Sequence, residues 1–121
     1  VMVNQATALI AWLNTILTTY QEPVPDIATL PYISLGFEQP RNAEPVIQQL
    51  TIWTRSENSY AQAYEYATAI ETALGETGRV IDGVNCKLWI KKGNPFVQNR
   101  NDDERTIRAV LVNLEISYYY D

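Results

Sequence analysis

The chain has 121 residues, a formal net charge of -5 and no histidine. That length suits one domain around one core, and the acidic balance argues against gripping a phosphate backbone, which takes neutralising Lys and Arg. The missing histidine excludes Ser-His and Cys-His triads, the usual zinc ligand sets and the commonest general base.

Cys86 stands alone, so no internal disulfide is open to the chain. No apolar run approaches the roughly 18 residues that span a bilayer, and no basic, apolar leader is present. The expectation is a soluble intracellular protein with no membrane partner.

In chain order, residues 3–20 are predicted to form a first helix. Ala6, Leu9, Ile10, Leu13, Ile16, Leu17 and Tyr20 follow the helical repeat, with Trp12 at the stripe's edge. Its threonine density lowers intrinsic propensity, so packing must hold it. Residues 22–31 are a connector, because Pro23, Pro25 and Pro31 forbid regular helix. Residues 32–37 read as a short strand, and Pro40 and Asn42 make 39–44 a hairpin loop.

The stretch 46–75 organises the rest. Val46, Gln48, Leu50, Ile52 and Thr54 share one side of an extended chain, and Ile47, Gln49, Thr51 and Trp53 the other. After a polar turn, Ser59 is placed to cap a helix with Gln62 reaching back. Tyr60, Ala63, Tyr64, Ala67, Ile70 and Leu74 then form one stripe, and Gly75 supplies the stop.

Residues 76–78 are a turn. Val80 and Ile81 can start another extended segment, with Asp82-Gly83 a bulge or tight turn. Val84, Cys86, Leu88 and Ile90 alternate strictly with polar or amphipathic neighbours, the cleanest strand pattern in the chain. Residues 91–105 are predicted to be a long mobile loop, broken by Gly93, Asn94 and Pro95. Residues 106–120 form a long closing strand whose second face is apolar first and polar later. The expected fold is therefore a single α+β domain over residues 1–121, in the order α-β-β-α-β-β. It is a two-layer sandwich with a mainly antiparallel four-stranded sheet and two helices on one face.

Chemistry is sparse. Cys86 shares a strand face with Val84, Leu88 and Ile90, which reads as a buried structural thiol rather than a nucleophile. Asp102, Asp103 and Glu104 lack the alternating ligands and glycine of a calcium loop. No nucleotide fingerprint, nucleophile elbow or acid-base pair is present. The expectation is no enzyme, no cofactor and no metal. The aromatics carry more information: Tyr118, Tyr119 and Tyr120 cannot all face one core on a strand. Exposed Tyr and Trp suit protein interfaces, so Trp89 and Tyr119 are interface candidates.

The element order, with LTIWTRSENSYAQAYEYATAIETAL at its centre, resembles the tail terminator proteins of long-tailed bacteriophages, also described as neck, tail-completion or minor capsid proteins. The shared look is a strand ending in a Trp-Thr-Arg turn, an Ala-rich amphipathic helix, a strand pair about a polar loop and a long final strand. The resemblance implies a structural virion protein made in the host bacterial cytoplasm. Its subunits would form a ring, commonly of six, that caps the tail tube, meets the head connector and lets DNA pass without binding it. The loops 39–44 and 91–105 are the segments able to bridge neighbours. Arg41, Arg55, Arg100 and Arg105 would pair with Asp102, Asp103 or Glu104 of an adjacent copy. The alternatives are another neck or head-closure adaptor, or a small-ligand binding module.

Overall fold

The computed structural model describes residues 2–38, 41, 43–56, 59–100 and 106–120. Among them are two helices and six strands: α1 (Met2–Asn14), β1 (Thr19–Gln21), β2 (Tyr32–Leu35), β3 (Pro45–Arg55), α2 (Ala61–Leu74), β4 (Arg79–Gly83), β5 (Cys86–Arg100) and β6 (Ile107–Tyr120). The strands make one sheet in the order β1-β2-β3-β6-β5-β4. The β1-β2 pair is parallel and the others antiparallel.

This corrects the expected fold. The sheet has six strands rather than four, is mixed rather than antiparallel, and runs α-β-β-β-α-β-β-β. Nor do two helices simply lie over one face of a two-layer sandwich. α1 touches both β1 and β4, the two rims of the sheet. One helix can reach both rims only if the sheet curls toward it, so the architecture is a half-barrel with α1 set between its edges.

Three local causes separate expectation from outcome. α1 stops at Asn14, where the threonine-rich continuation turns. The Asn14 side chain accepts the Thr19 N–H at 2.8 Å and launches β1, a three-residue strand too short to show a period. Val80 and Ile81 belong to a full strand, β4, joined to β5 by the turn Val84-Asn85, with Asn85 at φ 57°. The predicted loop 91–105 is strand as far as Arg100. Its breakers are absorbed in a bulge between Lys92, opposite Leu114, and Val97, opposite Val112. Gly93 is required at this bulge, since a Cβ there would sit 2.8 Å from the Asn113 carbonyl oxygen.

The core follows the strand alternation. Leu50, Ile52, Val110, Val112, Leu114, Ile116, Leu88 and Ile90 face inward and are essentially inaccessible. They meet Leu9 and Leu13 of α1 and Ala63, Ala67, Ile70 and Leu74 of α2 in one cluster. At ~1.5–3 kcal/mol for each large apolar side chain buried, this cluster supplies the main driving force. α2 begins differently from the predicted capping box: the Ser59 hydroxyl accepts the Ala61 N–H at 2.9 Å. It ends at Gly75, whose φ of 69° favours glycine.

Candidate functional site

The strand register decides what the outer face of the half-barrel presents. On β3, β6, β5 and β4 the residues opposite to the core positions line up in rows. One row is Pro45, Ser117, Trp89 and Val80; a second is Ile47, Glu115 and Lys91; a third is Tyr119, Lys87 and Asp82. Ile47, Val80 and Tyr119 are among the exposed large hydrophobics. Val80 pairs directly with half-buried Trp89, Tyr119 is one row away on β6 and Ile47 one row away beyond β6; the Trp89 indole N–H donates to the Thr77 carbonyl at 3.1 Å. The Lys91 ammonium lies 4.3 Å from the Trp89 ring centroid and 3.2 Å from Glu115. Lys87 bonds Asp82 at 2.6 Å. The result is an apolar patch ruled by charged rows, with neither α1 nor α2 over it among the described residues.

Further along the same strands the outer face changes character. Tyr20, Tyr32 and Trp53 form an aromatic run with centroids 5.6 and 6.5 Å apart. The Arg100 guanidinium lies 5.1 Å from the Trp53 ring centroid, reaching across the small Ala109 that pairs with both residues. Between the two ends, Asn113 is an amide hub. It donates to the Pro95 carbonyl at 2.8 Å and to the Gln98 side chain at 3.0 Å, and accepts from Gln49 at 3.2 Å.

The sequence-predicted interface residues therefore do not form one site. Trp89 and Tyr119 sit in adjacent outer rows. Arg41 is exposed, 3.9 Å from Glu44. Its loop is tied to the same end of β6 by the Ala43 N–H donating to the Tyr118 carbonyl at 2.7 Å. Arg100 stands at the opposite end of β5, eight β6 residues away by register (Trp89 opposite Ser117, Arg100 opposite Ala109), which is roughly 27 Å of strand. Asp102, Asp103, Glu104 and Arg105 lie outside the described residues. Sequence reasoning missed Val80 and Ile47 as members of the Trp89 patch. The period-two pattern put Ile47 on the non-core side of β3, but only the register across the strands sets it on the same outer face as Trp89, one row away with β6 between them.

The inward face offers little chemistry. Burial pushes the Cys86 thiol above its ordinary 9.0, consistent with a packed, inert sulfur. Desolvation, followed by the neighbouring Cys86, pushes the Tyr118 phenol above its ordinary 10.0. Neither its hydroxyl nor the Gln5 side-chain amide has a hydrogen-bond partner among the described residues. A shallow recess of about 260 Å³ between α2 and β5 is lined by Tyr64, Ala67, Thr68, Glu71, Phe96 and Val97. Among the described residues no group of three or more His, Cys, Asp or Glu is placed to hold a metal ion, and no helix is long and apolar enough to cross a membrane.

The molecule is thus a curled, mixed-sheet half-barrel with two helices, and its outer sheet face exposes Ile47, Val80 and Tyr119. No protein-family model matches the chain, and no curated protein does. Among solved structures, it is similar to a chain in the virion of a native gene transfer agent (GTA) particle, at 20% sequence identity and a TM-score of 0.57. The match covers 93% of this chain and 85% of that one. At that identity the likeness is one of fold.

Proposed function

We propose that this protein is a non-enzymatic structural subunit of a phage-like virion, and within that class a tail-terminator-type ring protein. The observation that carries the reading is the fold likeness to a chain of the GTA virion over nearly the whole length of both chains. Exposed Ile47, Val80 and Tyr119 on the outer sheet face support it, because a subunit that works by contact needs apolar surface. On this reading copies of the chain form a ring at the end of the tail tube, one side toward the tube and the other toward the head connector. The acidic net charge of -5 leaves DNA free to slide through the lumen.

The test is electron microscopy of the purified protein, alone and mixed with assembled tail tubes. Rings with a central opening, and density capping tube ends, are the expected result. Particles that bind only the portal side of the connector would replace the terminator role with that of a neck adaptor. Binding to neither structure, with no ring, would refute the virion reading.

A further inference from the structure

α1 offers two unlike halves to the sheet. Leu9, Trp12 and Leu13 of its second half are buried and join the core. Among residues 3–8 no large apolar side chain is buried: the inward positions are Gln5 and Ala6, with Ala8 half-buried and Val3 76% exposed. Gln5, Leu9 and Leu13 follow one another at a spacing of four and share one stripe. Gln5 therefore fills the place that leucine takes at the next two turns.

Three observations make this first half the weaker seat. Gln5 is fully inaccessible, yet neither its amide oxygen nor its amide nitrogen has a hydrogen-bond partner among the described residues. A stripped amide favours any state that returns it to water. A recess of about 230 Å³ lies between Val3, Ala6 and Thr7 and the facing Gln21 and Phe37, so the side toward β1 is not filled. The first turn also carries no acidic residue to complement the free N–H groups of the helix start. The close contact of this half is at β4. A Cβ on Gly83 would meet the Cys86 sulfur at 2.7 Å and the Ala8 methyl at 2.8 Å, which sets Ala8, Gly83 and Cys86 together.

We propose that residues 2–8 are a releasable strap, which lifts from the sheet as a unit about the Leu9 anchor while the six strands and α2 stay folded. Lifting hydrates the Gln5 amide and gives up, from the side chains of residues 3–8, little apolar burial beyond alanine methyls. It uncovers Cys86 beside Gly83. The strap thus gates the end of the half-barrel where β4 turns into β5. The inference goes beyond the ring reading and stands apart from it. Its rival is that α1 leaves the sheet only when the whole domain unfolds.

Two readouts on the intact chain separate these, each taken across low urea. One is amide hydrogen exchange resolved by NMR, and the other is the rate at which a thiol reagent labels Cys86, the sole cysteine. In the wild type the amides of Ala6, Thr7 and Ala8 are expected to exchange at least about 100-fold faster, relative to their intrinsic rates, than those of Ala67 and Ile70 in α2, with little dependence on urea. Cys86 labelling should follow the same shallow urea dependence. Gln5→Met keeps the side-chain length and removes both polar atoms, and it should slow exchange and labelling by at least about tenfold. Ile70→Val weakens the core under α2 and should leave both rates unchanged while lowering the global transition. Amides of residues 6–8 as well protected as those of α2 overturn the proposal. So do rates that rise with Ile70→Val in step with global unfolding. Fast exchange at residues 6–8 with Cys86 labelled only through global unfolding overturns it too, reducing the strap to a fraying helix end. Gln5→Met that leaves both rates unchanged or faster removes the stripped amide as the cause and overturns it likewise. Should Gln5→Met fail to fold, the wild-type urea dependence and Ile70→Val decide by themselves.

Discussion

Tyr118→Phe should make the protein more stable. Tyr118 is fully buried, and its ring meets Phe37 edge-on at 5.8 Å. Its hydroxyl has no hydrogen-bond partner among the described residues. In water that hydroxyl is hydrogen-bonded, so folding strips it and returns nothing, at a cost of ~1–3 kcal/mol by mutational measures. Phenylalanine keeps the ring contacts and removes the stripped group. The expected gain is about 1–2 kcal/mol, or roughly 3–8 °C in Tm for a domain of this size. Alkaline pH gives a second arm. Burial holds the folded-state phenol above its ordinary 10.0, so the unfolded chain releases this proton first. The stabilising effect of keeping Tyr118 neutral is intact below about pH 10 and is lost as pH rises toward the folded-state value. The gap between variant and wild type should therefore widen above pH 10 by up to ~1.4 kcal/mol per pH unit. Urea denaturation across pH 7–11.5 reads both arms. A variant less stable than wild type at neutral pH, with no widening at high pH, would refute the reasoning by showing that the hydroxyl is satisfied.

Gly78→Ala should destabilise by about 2 kcal/mol or more, because φ there is 87° and a Cβ would lie 2.6 Å from the Ile90 carbonyl oxygen; thermal melting checks it. Ile70→Ala, which empties a fully inaccessible position under α2, should cost ~2–4 kcal/mol by chemical denaturation. Asn113→Ala removes three side-chain hydrogen bonds. Gln49 and Gln98 are exposed and regain water, so the expected loss is about 1–2 kcal/mol, with faster hydrogen exchange confined to residues around the Lys92–Val97 bulge. By contrast Lys92→Met, which breaks a surface pair with Glu71, should change stability by less than about 1 kcal/mol.

How much of this was legible in the sequence depends on the length of each signal. The long elements were, because β3, α2 and β6 each repeat their pattern several times: Leu50 and Ile52 face in and Ala63, Ala67, Ile70 and Leu74 form the stripe. Three residues of β1 cannot display a period, and Ile16, Leu17 and Tyr20 continue the helical spacing although the chain has already turned at Asn14. Gly93, Asn94 and Pro95 read as loop because they usually are. Here a fourteen-residue β6 offers enough edge for β5 to resume pairing beyond them. The seat of α1 between the two rims was hidden for another reason: it is a property of the assembled six-stranded sheet. The Trp89 patch was half visible, since residue type nominates Trp89 and Tyr119 but only register adds Val80 and Ile47.

The placement of α1 also sets an order of events. Asn4 and Ala8 lie against Gly83, so close that a Cβ on that glycine would approach the Ala8 methyl to 2.8 Å. Those partners are about eighty positions apart in the chain, a long closure to complete before it is rewarded. As the polypeptide leaves the ribosome, the side of α1 that meets Gly83 stays uncovered until β4 has been made, although its contact with β1 can form earlier. Slowing translation between them should leave this helix as the handle that chaperones grasp.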